Sequence, residues 1–369
     1  MQRKLLVSLF VVFIALMLTA CGQEGNSQKN NASTIEITDM LGRKVTVPKS
    51  INKVYSTTPI GTVMVYSFNP EKLAGLNTAV TGDTKYIAES YRNLPVMGGT
   101  FGSEGATANM EKILKAAPDV IISVTMADME NTTEISTADR LQTQSGIPVV
   151  VVNTNLTQVD KAYEFMGKLL KEEERAKVLA DYCRNTILET KAMVDKIPED
   201  KRVRVYYAEG PAGLATDPAG SRHTEVLDLV RGVNVAQVQM NPGSGMSAVS
   251  VEKVMLWDPD IIIAYYPKTP ETKSFFDFVR KDSKWDNIKA VREGRVYDVP
   301  GQPFNWFDRP PSINRIIGIK WLANLLYPDY VPIDIKSETK RFYQLYYHYE
   351  LTDQEVEDVL KYSVRKSVN

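Results

Sequence analysis

Histidine is nearly missing from this 369-residue chain, with His223 and His348 the only two. Two imidazoles cannot build a multi-histidine zinc or manganese cage, and no H-E-x-x-H protease helix is written. Cysteine is as scarce, with Cys21 and Cys183 alone. There is no C-x-x-C pair, no G-x-x-x-x-G-K-[ST] phosphate loop and no G-x-S-x-G nucleophile elbow. A charge excess of either sign is absent too, since 44 Lys and Arg against 45 Asp and Glu leave a net charge of −1. No basic surplus argues for nucleic acid, and no acidic tract argues for disorder.

What the chain does contain is ordinary globular composition, 43% hydrophobic and 24% charged. At this length one compact core is too small a container, and two domains of similar size are expected. The N-terminus reads "MQRKLLVSLFVVFIALMLTACGQEG". Arg3 and Lys4 precede an apolar run from Leu5 to Leu18. That run is short of the roughly 20 residues a membrane span needs, and suits a secretory signal. It ends in "LTAC", which resembles the lipobox of bacterial lipoproteins, where the cysteine is lipidated and becomes the first residue. The polar stretch "GQEGNSQKNNAS" that follows reads as a flexible tether. Residues 1–20 are therefore expected to be a signal peptide and 21–34 a tether, with Cys21 lipidated. Cys183 would then be the lone free cysteine, unable to form an internal disulfide, and reads as a small core residue.

The remainder alternates strands and helices. "KVTVP" alternates like a short strand. In "KVYSTTPIGTVMVYSF", Thr58 sits where an N-cap belongs and Pro59 at the first helical position. "DVIISV" and "IPVVVV" are unbroken β-branched runs, as in strands buried on both faces, with a polar helix between them around Thr137–Gln144. Helix formers then run from Val159 to Leu170 and from Glu172 to Ile197, without Pro or Gly in the second run. Twenty-six residues make a rod of roughly 39 Å. After it, "RVRVYYAEG" opens a second α/β series, with a helix expected from about Ser312 to Leu326 and helical sequence again from Ile335. Tyr343 and Tyr346 fall at helical spacing with Phe342 and Leu345, as core residues do. The fold class is α/β, two series of strands and helices built on mainly parallel sheets and separated by one long helical rod.

One unit is written twice. "MEKILKAAPDVII" begins at Met110 and "VEKVMLWDPDIII" at Val251, a constant 141 positions apart. Asn109 and Ser250 are both good N-cap residues, and Glu111 and Glu252 fall in the first helical turn. The helix dipole favours an acidic residue there by a few tenths to about 1 kcal/mol, which explains one glutamate but not its repetition across lobes.

These segments, together with "TDMLGRKVTVP", "HTEVLDLVRGVNVA" and "GIKWLANLLYP", resemble the helical-backbone class of substrate-binding lipoproteins of bacterial ABC importers. That class includes the ferric-siderophore, haem and vitamin B12 binding proteins. The resemblance spans nearly the whole mature chain. It implies a lobe over 35–171, a connecting helix over 172–198, a second lobe over 199–330 and a C-terminal helical segment over 331–369. It implies that Glu111 and Glu252 pair with arginines of the membrane permease, a role compatible with a first-turn position. The partners implied are a permease dimer, a small-molecule metal chelate and, through the anchor, the outer face of the cytoplasmic membrane, for a monomeric chain that binds no nucleic acid.

The resemblance also points to the loops that would line the cleft: "STTP" with Thr58, "GGTFGSEG" with Phe101, "ATDPAGSRH" and "QPFNWFDRP". Arg222 and Arg309 could present bidentate donors to carboxylate, catecholate or oxyanion groups, or be surface or capping arginines. Trp306 and Phe307 could wall the ligand or pack beneath their loop. His223 could touch ligand or be a hydrogen-bonded residue at a helix start. The leading functional expectation is capture of a chelated metal, a ferric siderophore, for delivery to an importer. Haem, a corrinoid or a molybdate-type oxyanion is the alternative ligand, and an exported enzyme on a two-lobed scaffold the alternative class. No catalytic residue, cofactor or protein-held metal is expected.

Overall fold

The computed structural model describes residues 33–80, 85–99, 107–126, 131–241, 245–265 and 273–365. The expected signal peptide, Cys21, nearly all of the tether and Phe101 lie outside the described residues. Among the described residues, no helix is long and apolar enough to cross a membrane.

"TDMLGRKVTVP" closes an antiparallel hairpin, β1 (Thr34–Thr38) with β2 (Lys44–Pro48). Asp39 fastens its turn: Oδ1 accepts from the backbone N–H of Leu41 and Arg43, both at 3.0 Å. Oδ2 accepts from Val151 N–H at 3.1 Å, which docks the turn onto the first lobe.

The first lobe is built on three parallel strands in sequence order, β3 (Val54–Ser56), β4 (Val120–Thr125) and β5 (Val149–Asn153). Every residue of β3 and β5 is buried, as their apolar runs require. The helix Pro59–Phe68 starts at Thr58, whose hydroxyl accepts from Gly61 N–H at 3.4 Å. The helix expected at Thr137–Gln144 occupies Thr132–Ser145, because the Asn131 side chain caps Thr133 and Glu134 and Gly146 ends it at φ 67°.

The second lobe holds β6 (Arg204–Glu209), β7 (Ala215–Thr216), β8 (Val233–Asn234), β9 (Ser247–Ala248), β10 (Ile261–Tyr265) and β11 (Val296–Asp298). β6, β10 and β11 are parallel neighbours, β8 pairs the other side of β6, and β7 and β9 add an antiparallel extension. The trio β6–β10–β11 matches β3–β4–β5 in order and direction.

The match extends to single atoms. Helix Met110–Ala116 precedes β4 and helix Val251–Trp257 precedes β10, capped by Asn109 and Ser250. Both helices end in a left-handed residue, Ala117 at φ 48° and Asp258 at φ 42°. Asp119 then exchanges hydrogen bonds with Lys53 at the start of β3, N–H to Lys53 O at 2.7 Å and Lys53 N–H to Oδ2 at 2.9 Å. Asp260 does the same with Arg204 at the start of β6, at 2.8 and 3.1 Å. The repeated Pro-Asp turn is thus the clip that sets each helix–strand unit in register with its neighbouring strand.

The connecting helix runs Glu173–Val194, 22 residues, or about 33 Å. Arg184 Nε donates to Asp160 Oδ2 at 3.0 Å, and Arg175 Nη2 donates to Ser67 O at 2.9 Å. Tyr182 OH donates to Glu338 Oε2 at 3.1 Å, from the C-terminal helix Ile335–Tyr347. Cys183 is fully buried with its Sγ 3.2 Å from Tyr346 OH, and burial pushes its thiol up to about 12, so it is an inert core residue. The C-terminal helix also reaches the first lobe, where Tyr66 OH donates to Tyr347 O at 3.3 Å.

Val54 and Val120 of one lobe, Leu179 of the connecting helix and Val205 and Ile261 of the other lobe belong to one continuous apolar cluster. The outer face of each sheet has a smaller cluster of its own. Lobes that share a core resist wide opening, because separation would return its apolar surface to water at roughly 25 cal/mol per Å².

Candidate functional site

In open α/β sheets, ligands meet the loops beyond the carboxyl ends of the strands. In the second lobe those ends carry a dense ionic cluster. Glu209 is the last residue of β6, Asp217 follows β7, and Asp308 and Arg309 lie in the loop between β11 and helix Asn314–Leu326. Arg309 Nε donates to Glu209 Oε1 and Nη2 to Asp217 Oδ2, both at 2.7 Å, and Asp308 Oδ2 lies 3.2 Å from Nε. The three carboxylate side chains are 0–1% exposed. Burial alone would lower the Arg309 pKa, but Glu209 and Asp308 outweigh it and hold the group above its ordinary value. Glu209 is pushed up to about 8, by burial first, with Asp217 adding to the rise and Arg309 opposing it.

His223 Nδ1 lies 2.8 Å from both oxygens of Asp308, which fixes the ring and leaves Nε2 as its other nitrogen. Ser221 caps the turn before it and donates to Asp217 Oδ1 at 3.2 Å. Asp217, His223 and Asp308 offer donor atoms within 4.8 Å of one another, a grouping that could hold a cation without a multi-histidine cage. Arg309 already supplies positive charge against both aspartates, so a metal ion would have to compete with a guanidinium held at 2.7 Å from Asp217. Glu209 Oε2, Tyr207 OH and Thr216 Oγ1 are buried without a hydrogen-bond partner among the described residues, a concentration of unmet polarity that costs stability.

Trp306 and Phe307 lie beneath their loop, 0% and 1% exposed. The Phe307 ring packs 4.6 Å from that of Tyr207. The backbone of Trp306 crosses helix Asn314–Leu326 so closely that a Cβ on Gly318 would fall 1.7 Å from the Trp306 carbonyl oxygen. Only glycine permits that crossing. In this structure both rings are buried as packing groups. Arg222 is exposed on the turn that also holds His223, and Thr58 is buried as the cap of helix Pro59–Phe68.

A second buried arginine joins the lobes. Arg315 is 2% exposed on helix Asn314–Leu326. Its Nη1 donates to Glu225 Oε2 at 2.6 Å, and its Nη2 reaches Met126 Sδ of the first lobe at 3.9 Å. Burial pulls this guanidinium below its ordinary value, against the raising effect of Glu225. Arg315 lines a small cavity between the lobes with Ile60, Met64, Thr154, Leu156 and Ser312. Glu209, Asp217, Asp308, Glu225 and Arg315 are absent from the sequence-derived candidates. Asp308 was legible as the neighbour of Arg309 in "FDRPP", whereas the others become neighbours only through the fold.

Glu111 and Glu252 are both exposed in the first turns of their helices. The Ser250 hydroxyl and the backbone hold the Glu252 carboxyl below its ordinary value, so it stays charged.

Two matched α/β lobes, a single connecting helix and polar loops at the strand ends define a bilobed ligand-binding protein. The model of the periplasmic binding protein family matches residues 63–303, well over half of the chain. The chain belongs to that family and has the helical-backbone fold of ABC-importer substrate-binding proteins. An ABC transporter solute-binding protein from Sulfurospirillum deleyianum DSM 6946 is 33% identical, with a TM-score of 0.79 over 88% of this chain and 99% of that one. The molybdate-binding protein MolA of Haemophilus influenzae is 25% identical over 84% of this chain and 90% of its own length. The iron-uptake system-binding protein of Bacillus subtilis (strain 168) is also 25% identical, over 80% of this chain and 90% of its own. These relatives are transport binding proteins, not enzymes.

Proposed function

We propose that the mature chain is an exported, lipid-anchored binding protein that captures a chelated metal, a ferric siderophore, in the cleft between its lobes. It hands this ligand to the permease of an ABC importer, which Glu111 and Glu252 address from equivalent positions. The observation that carries the reading is the pair of matching three-stranded units, joined by one braced helix, with polar loops at their strand ends. The anchor rests on "LTAC" after the apolar run, and the iron relative in Bacillus subtilis supports the metal class. Mass spectrometry of small molecules released from the native purified protein tests it. An anionic iron chelate is the expected result, and catalytic turnover of a substrate would contradict it.

A second ligand reading, a molybdate-type oxyanion, is favoured by the similarity to MolA over most of both chains. Both readings place a ligand with anionic oxygens between the lobes.

A further inference from the structure

Arg309, the cation that the loop sequence brings forward, is already committed. Its guanidinium meets Glu209, Asp217 and Asp308 at 2.7–3.2 Å, and even with Glu209 protonated two aspartates face this one arginine. The other buried arginine of this region stands differently. We infer that Arg315 is the anion-receiving group of the cleft, with Glu225 holding Nη1 while an anionic oxygen group of the ligand seats on the Nε–Nη2 edge. This rests on the reading of the cleft as the ligand site.

Three observations carry the inference. A guanidinium has five N–H donors, and burying them unpaired is costly. Among the described residues Arg315 makes one strong contact, to Glu225, and one weak one, to the Met126 thioether. Among those residues its Nε is buried with no hydrogen-bond partner. Spare donors in a fixed fork suit a carboxylate, catecholate or tetrahedral oxyanion bound through two oxygens.

Position supplies the second argument. Arg315 lines the interlobe cavity, and Met126 directly follows β4 of the opposite lobe. A group seated on the Nε–Nη2 side of the fork would therefore sit where the lobes meet, replacing the Met126 contact.

The third argument is the asymmetry of the ion pair. Arg315 is held in helix Asn314–Leu326, nearly every residue of which is buried, and its side chain is 2% exposed against 33% for Glu225. The carboxylate can turn to water, whereas the guanidinium cannot. Glu225 can thus yield ground to a ligand anion on the neighbouring edge of the fork while the buried positive charge stays matched throughout.

The test titrates the mature protein with two probes, sodium molybdate and a ferric tris-catecholate, to separate a free oxyanion from an anionic chelate. Arg315→Lys keeps the charge but loses the fork, and should weaken the preferred anion by about thirtyfold or more. Glu225→Gln removes the neighbouring negative charge and should tighten the same anion severalfold. Because the lysine variant could fold poorly, Glu225→Gln gives an independent readout, with the melting temperature of each variant measured alongside. Unchanged affinity in a folded Arg315→Lys variant, or weaker binding in Glu225→Gln, overturns the inference. Binding of only neutral or cationic ligands by wild type overturns it while leaving a binding protein, and wild type that binds no small molecule sinks the cleft reading as well.

Discussion

Arg309 Nε donates to Glu209 Oε1 at 2.7 Å, joining a half-buried guanidinium to a fully buried carboxylate in the second lobe. This contact and its partner to Asp217 make the arginine a structural cation. Arg309→Ala would leave Glu209, Asp217 and Asp308 buried without it, and breaking buried pairs in this way typically costs about 3–5 kcal/mol. Urea unfolding of the mature protein checks this. A loss well under 1 kcal/mol would mean that the cluster is solvated or neutralised by other means.

The same cluster sets a pH dependence. Glu209 rises from 4.5 to about 8, chiefly through burial. Between those values the folded protein keeps a proton that the unfolded chain has released, so this group's contribution is fully present below about pH 4.5 and is lost as pH climbs to about 8. Glu209→Gln, which mimics the protonated form, should flatten the decline. Melting temperatures of both proteins from pH 5 to 9 are the check, and parallel curves would contradict the assignment.

Much of this architecture was legible in the sequence. The β-branched runs at Val120 and Val149, the Thr58 cap and the 141-residue repeat all record local rules, and these elements fold where local rules put them. The repeated Pro-Asp was legible as a turn, though its work as a clip to the preceding strand was not, because Lys53 and Arg204 meet Asp119 and Asp260 across long sequence gaps. The site was less legible. The loop sequence could point to Arg309 but could not show that Glu209, 100 positions earlier, would bind it. Nor could it separate a tryptophan that faces ligand from one pinned beneath its loop, since that depends on Gly318 letting two backbones cross. Buried ion pairs between distant segments leave no periodic trace.

The anchor makes a separate prediction. One acyl chain holds a protein to a membrane only marginally, so a stable lipoprotein anchor needs more than one. Cys21→Ser should move the chain from the membrane fraction to the soluble exported fraction, as read by fractionation and N-terminal mass spectrometry. An unmodified residue at the mature N-terminus of the wild type would remove the lipid anchor from the account.

Docking can be separated from ligand capture. Glu111 and Glu252 stand exposed on equivalent helices. Reversing both to lysine should abolish uptake while ligand affinity stays unchanged, because like charges meeting at an interface cost several kcal/mol. Uptake at the normal rate would leave the two glutamates as helix starts alone.

The central claim is that the cleft binds a metal inside an anionic shell rather than a bare ion. Titration calorimetry of the mature protein settles it most directly, with ferric siderophores, haem, cobalamin, molybdate, and free zinc and manganese. The account predicts tight binding of one anionic chelate or oxyanion and weak or no binding of the free cations. Tight binding of zinc or manganese at the Asp217–His223–Asp308 group, with none of the other ligands bound, would contradict it.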